Sequence, residues 1–150
     1  KEIFDKDIIA LVDNEVSQKD DLINLLLLEV TCGSTRKPMV KVTLNYKGKE
    51  IKKSCSGNGP VDSIFNCIND LIKNNAKLEL FLINAITKGT DAQAEVSVRL
   101  KENDISVSGT ASDTDTMVAS ANAYIIALNK LIMKRKKRNI DLNLSTKKIN

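Results

Sequence analysis

The chain has 150 residues and a net charge of +4, with three cysteines, no tryptophan and no histidine. The lack of histidine excludes Ser-His and Cys-His nucleophiles and imidazole-bound metals, and the scarcity of aromatic residues argues against a base-stacking platform. Residues 134–150 hold seven Lys or Arg and one acid, so the body is near −2 and the basic balance belongs to a tail, not to a nucleic-acid domain.

This length suits one domain, or two small units sharing a core. A start at Lys1 instead of Met suggests a piece of a longer protein. The sequence shows no signal-peptide pattern and no apolar run of membrane length, so no membrane span is expected. Cys32, Cys55 and Cys67 lack metal-ligand spacing and read as reduced thiols of a cytoplasmic protein.

Phe4, Ile8, Ile9, Leu11, Val12 and Val16 lie close to helical spacing and predict a short amphipathic helix, the end of a connector over residues 1–20. Leu22 to Thr31 is almost continuously apolar and predicts a buried strand. Val40, Val42, Leu44 and Tyr46 alternate with polar residues and predict a strand with one wet face. Lys47-Gly48-Lys49 predicts a hairpin turn into a third strand ending near Cys55. Pro60 suits the first turn of a helix, because its missing N–H would be unpaired there anyway. Val61, Ile64, Phe65, Ile68, Leu71 and Ile72 continue that helix until Asn74-Asn75 stops it.

The order then repeats. Leu78 to Ile86 reads as a strand, Gly89-Thr90-Asp91-Ala92 as a loop, and Ala94, Val96, Val98 and Leu100 as an alternating strand. Glu102-Asn103-Asp104 turns into a third strand through Ile105, Val107 and Gly109, and a helix follows from about Asp113 to Lys134. A shift of 54 pairs Val42 with Val96, Lys47 with Lys101, Ile51 with Ile105, Ser54 with Ser108 and Ile72 with Ile126 without a gap. The predicted class is α+β: two pseudo-symmetric βββα units, 21–75 and 76–133, preceded by the connector helix. One sheet with one helix leaves an apolar face uncovered, so such units pack as a pair. Residues 134–150 are expected as a basic flexible tail, or as an electrostatic contact for an acidic partner.

Both helices start directly after a strand, at Gly57-Asn58-Gly59-Pro60 and at Ala111-Ser112-Asp113. Free amides and the positive dipole end suit a carboxylate or phosphate there, and glycines let it approach the backbone. The competing reading is simple capping, by Asn58 or Gly59 in the first helix and Ser112 or Asp113 in the second. Asp113-x-Asp115 resembles a metal pair, but lacks the third acid a Mg²⁺ site needs, and helix-dipole compensation accounts for it better. Ala92, Ala94, Ala111, Ala119, Ala121 and Ala123 allow close helix–sheet packing, or room for a small apolar ligand. No catalytic constellation is present.

Three motifs carry a family likeness: Gly57-Asn58-Gly59-Pro60-Val61-Asp62; Asn84-Ala85-Ile86-Thr87-Lys88-Gly89-Thr90-Asp91-Ala92; and Ser108-Gly109 with Asp113-Thr114-Asp115 and Val118-Ala119-Ser120-Ala121-x-Ala123-Tyr124. Together they resemble the C-terminal regulatory domain of the 2-isopropylmalate synthases, over roughly residues 22–132. The resemblance implies paired βββα units, a homodimer, and feedback inhibition by leucine at the dimer interface. Citramalate synthases share the architecture and answer to isoleucine. A parent acyltransferase would hold acetyl-CoA and a divalent metal in a catalytic domain that this chain lacks. The chain itself is then expected to be inert, with no metal, cofactor, nucleic acid or membrane partner.

By motif position, Gly57, Gly59, Ser63 and Ala92 would line the effector site. An amino acid also needs donors for its carboxylate, acceptors for its ammonium and an apolar slot. Asn58, Pro60, Val61, Ile64, Asp91, Ala94, Asp113 and Asp115 complete the candidate set. Ser63 stands where the family usually has alanine, and Ala111 where it often has glycine. Two rival classes remain at this stage: a double-stranded-RNA-binding-like module over residues 3–75, and a dimerisation module without a ligand.

Overall fold

Residues 23–149 are described in the computed structural model, except for the side chains of Lys88 and of residues 145–149; the expected connector helix lies outside them. Alternating apolar residues build two antiparallel meanders. β1 (Ile23–Gly33), β2 (Arg36–Tyr46) and β3 (Lys49–Ser56) form one sheet, and α1 (Pro60–Leu71) follows. β4 (Lys77–Lys88), β5 (Asp91–Glu102) and β6 (Ile105–Asp113) form the second, followed by α2 (Thr116–Ile149). The expected βββα pair is therefore the observed fold.

The central strands supply the wall of the core: Val40, Val42 and Leu44 from β2, and Val96, Val98 and Leu100 from β5, are all buried. Tyr46 faces Lys49 across a two-residue turn in which Lys47 and Gly48 both have positive φ, the conformation that matches strand twist in a tight hairpin. α1 packs on β2 and β3, while α2 packs on β5 and β6, reaches β1 and touches α1. One core thus runs from sheet to sheet through the helices. Phe65 stacks on Tyr124 at 4.3 Å between ring centroids and meets Phe81 edge-on at 5.7 Å. The Tyr124 hydroxyl donates to Asn69 Oδ1 at 2.6 Å.

Two contacts fix α2. Buried Asn129 accepts the Ile23 N–H at 2.8 Å and donates to the Ile23 carbonyl at 3.1 Å, joining the helix of the second unit to the first strand of the first. On β6, a Cβ added to Gly109 would lie 2.7 Å from Ala127 N and closer still to Ala123 O. Glycine here, with buried Ala119, Ala123 and Ala127 on the helix, lets the backbones come together.

The structure differs from expectation in four places. β1 is an edge strand and not a buried one: Leu26 and Leu27 are exposed. A register shift sets Leu26 aside, so Leu25, Leu28 and Val30 all face the core side opposite Leu44, Val42 and Val40. That break in alternation is why the run reads as continuously apolar. Second, residues 134–149 continue α2 instead of forming an aperiodic tail. No Gly or Pro interrupts them, and Arg135 with Glu102 and Arg138 with Asp104 tie them to the β5–β6 turn. Third, the helix over residues 116–144 is long and apolar enough to cross a membrane by length and composition, although 56% of its apolar 18-residue stretch is buried against the protein, as a core helix would be.

The fourth difference concerns the repeat. Val40 faces Cys55 and Val96 faces Ala111, so the two central hairpins correspond at a spacing of 56, not the 54 aligned in the sequence. The helices agree. Ser63, Ile64, Phe65, Cys67, Ile68 and Ile72 are buried, and so are Ala119, Ser120, Ala121, Ala123, Tyr124 and Leu128, each 56 residues on. A slip of two residues leaves every strand side chain on its own face, and alternation cannot detect it. In a helix the same slip turns the residue by about 200°.

Candidate functional site

At the β3–α1 junction, Gly59 is the residue ahead of the helix, with φ −141° and ψ 165°, and it supplies no capping side chain. Its carbonyl accepts the first helical bond, from Ser63 N at 2.9 Å. Pro60 has no N–H, so the amides of Val61 and Asp62 are the donors this turn leaves without a cap. A Cβ at Gly59 would meet nothing within 4 Å, so the approach to those amides is open. Gly57 differs: a Cβ there would lie 2.7 Å from Ser63 Oγ. The Ser63 hydroxyl is fully buried and donates back to the Gly59 carbonyl at 2.7 Å, so it packs under Gly57 and is already satisfied. Asn58 is exposed, Pro60 and Val61 are half-buried, and Ile64 points into the core with no exposed surface.

The α2 start has the opposite chemistry. Its cap is Asp115, not Ser112 or Asp113: the Asp115 carbonyl accepts Ala119 N at 3.0 Å and its carboxylate accepts Met117 N at 2.8 Å. The Asp113 carboxylate accepts Asp115 N, also at 2.8 Å. Both carboxylates precede the helix: Asp115 is spent on an amide of its first turn, and Asp113 on the amide of the capping residue. Under the 56-residue correspondence, Gly57 and Gly59 are the counterparts of Asp113 and Asp115. One helix start is open and uncapped; the other is closed by its own acids.

Asp91 and Ala92 belong to β5, the turn before them being Gly89-Thr90, and both are exposed. Ala94 is half-buried and pairs with Ala85 on one side and Asp113 on the other, which brings the β5 residues next to the α2 start. Asp91 also borders a cavity of about 230 Å³ lined by Ile86, Gln93, Glu95 and Ser112, whose two carboxylates suit a cation better than an anion. The candidate residues therefore form two groups, Gly57–Ile64 at one junction and Asp91–Ala94 with Asp113 and Asp115 at the other. α1 packs on β2, β3 and α2.

Two features escaped the sequence reading. Ile83 lies on the core side of β4, opposite Val96, yet is 48% exposed, and Ala85 beyond it is exposed as well. Apolar side chains with core-side alternation and no cover mark a surface that another body covers. Glu102, read only as a turn residue, is buried; it accepts Asn75 N at 2.9 Å and pairs with Arg135 at 2.7 Å. Charge at a turn carries no signal of such burial.

The LeuA allosteric (dimerisation) domain family matches residues 2–132. Among curated proteins, the 2-isopropylmalate synthase of Rhodopseudomonas palustris (strain BisB18) is 50% identical over 137 residues, covering 91% of this chain and 26% of that protein. The enzyme of the same name from Nitrobacter winogradskyi is 47% identical over the same shares. That of Methylobacterium nodulans is 47% identical over 88% of this chain and 25% of its own length. The chain thus spans about a quarter of the curated relatives it matches.

Proposed function

The chain belongs to the LeuA allosteric (dimerisation) domain family, and from that premise we propose that it is the leucine-sensing regulatory domain of a cytoplasmic 2-isopropylmalate synthase. The observation that carries this reading is the open α1 start. The uncapped amides of Val61 and Asp62 suit the carboxylate of an amino acid, and Gly59 leaves the approach clear. Asp91, Asp113 and Asp115 offer acceptors for the ammonium group, and the small Ala92 and Ala94 with Val61 leave room for a branched side chain. The two groups sit at different junctions of one protomer. A homodimer formed through the uncovered β4–β5 face around Ile83 would set one protomer's hairpin against its partner's α1 start and complete the site.

Leucine then acts by differential affinity. It favours the dimer arrangement in which both groups close on it, and that arrangement lowers catalysis in the parent acyltransferase. The parent's acetyl-CoA and metal chemistry belongs to a catalytic domain outside this chain. Isoleucine differs from leucine by the position of one methyl, worth about 1–3 kcal/mol in an apolar pocket, so discrimination is modest. Calorimetry of this chain with each amino acid tests the reading, and millimolar leucine is expected to give heat and a thermal upshift. Silence with both ligands refutes it. Sedimentation of Ile83→Glu tests the interface, which is wrong if that variant dimerises as the parent chain does.

A further inference from the structure

We propose that the acidic segment over residues 3–16 of this chain docks on the outward face of the last turns of α2. Met133, Ile140 and Leu144 are spaced by seven and four residues, so they share one face of that helix. They are 42%, 58% and 54% exposed. The opposite face, with Arg135, Arg138 and Leu142, borders the β5–β6 turn, so the exposed row points away from the body. Lys137 stands within that row and Lys134 and Lys136 beside it, in a stretch, 134–144, of five cations and one acid. The family match ends at residue 132, ahead of this surface. An apolar row set among lysines suits an amphipathic partner of opposite charge.

The chain carries such a partner within reach. Phe4, Ile8, Leu11, Val12 and Val16 fall close to helical spacing, and Asp5, Asp7, Asp13 and Glu15 lie between them. Residues 1–22 together hold seven acids and three lysines. The segment also enters the fold at the right place. Ile23 is buried and donates its N–H to Asn129, one turn ahead of Met133 on α2. Residues 17–22 can span up to about 20 Å, while Ile140 lies about 17 Å along the helix from Asn129. Traced back from Ile23, the segment runs antiparallel to α2, with Val16 toward Met133 and Phe4 toward Leu144. Asp13 and Glu15 then fall beside Lys134, Lys136 and Lys137. A second copy of α2 on this face would set like charges against each other, which opposes it as the occupant. The proposal is independent of the effector reading.

The test couples carboxylates to amines with a carbodiimide in an equal mixture of isotope-labelled and unlabelled 150-residue chain, and reads the links by mass spectrometry. Amide links from Asp13 or Glu15 to Lys134, Lys136 or Lys137 should form within single chains, each linked pair carrying one isotope. The double variant Ile140→Asp, Leu144→Asp changes two exposed side chains and should lower their yield by about fivefold or more. Limited trypsin digestion supplies a second readout. Cleavage after Lys6 should be slow in the parent chain and about fivefold faster or more in the double variant. Absence of these links overturns the proposal, as does a yield or a cleavage rate that the double variant leaves unchanged. Links that carry both isotopes as often as chance mixing gives would assign the face to a second copy. A chain without the links that sediments with phosphatidylglycerol vesicles would assign it to a lipid surface; either result overturns the proposal.

Discussion

Gly59→Asp separates folding from ligand binding, because its two effects have opposite signs. The backbone at Gly59 is extended, as a residue ahead of a helix should be, and its Cβ position is empty, so the substitution is sterically free. The new carboxylate can cap Val61 N–H or Asp62 N–H. Over glycine this is worth a few tenths of a kcal/mol, and the helix dipole adds about 0.3–1 kcal/mol. The thermal midpoint should rise by about 1–4 °C for a chain of this size. The same carboxylate occupies the place assigned to that of leucine. Two charge-assisted hydrogen bonds lost at about 1.5–3 kcal/mol set the scale, and a net loss of about 2–3 kcal/mol weakens leucine roughly 30- to 150-fold. Differential scanning fluorimetry and calorimetry read the two effects on one sample, with Gly59→Ala as a control that keeps leucine affinity within about threefold. Leucine binding by the Asp variant within threefold of the parent chain, at a raised midpoint, would refute the carboxylate site. A midpoint that falls by several degrees would refute the open geometry of Gly59.

Three further outcomes follow from packing and ionisation. Gly109→Ala forces a methyl into the backbone of α2 at Ala123 and Ala127, which should cost about 3 kcal/mol or more and lower the midpoint by roughly 6–12 °C; a drop below 2 °C would mean that the helix rides further from β6. Asn129→Ala leaves the N–H and C=O of buried Ile23 without partners, an expected loss of about 2–4 kcal/mol in urea unfolding, and a change under 1 kcal/mol would contradict that clamp. The Cys67 thiol is raised in the fold from an ordinary 9.0 to about 12, chiefly by burial, so the unfolded chain ionises first. Its contribution is fully present below about pH 9 and is lost as pH rises toward 12, with a ceiling of about 4 kcal/mol. Cys67→Ala should flatten the alkaline fall in stability, and an equally steep fall would exclude Cys67 as its source.

The order of elements was legible because alternation marks β2 and β5, and because Pro60 and the Lys47-Gly48 turn punctuate the chain locally. Edge strands were harder. β1 and β4 each carry a register shift, at Leu26 and at Glu79, that carries inward-facing residues out of strict alternation. The end of α2 was misjudged because its last turns are held by Arg135 and Arg138 on the β5–β6 turn, contacts between residues more than thirty positions apart. The cap at Asp115 was missed for a local reason: Ser112, Asp113 and Asp115 are all good cap residues, and only the path of β6 decides among them.

The corrected spacing of the repeat changes what the site is. Aligned at 54, the two helix starts look like equivalent halves of one pocket. At 56, Gly-Asn-Gly stands opposite Asp-Thr-Asp, and each glycine of the open start has a carboxylate as its counterpart. Asp115 takes the Met117 amide and Asp113 takes the Asp115 amide, which makes that start a negative surface and a poor home for an anion. An amino acid is itself a dipole, with a carboxylate at one end and an ammonium at the other. A duplicated fold with two identical helix starts would offer it two anion sites and nothing for the cation. Under the proposed reading, glycines at one start and aspartates at the other make a polar pair, which would match a zwitterion with the two junctions facing each other across a dimer.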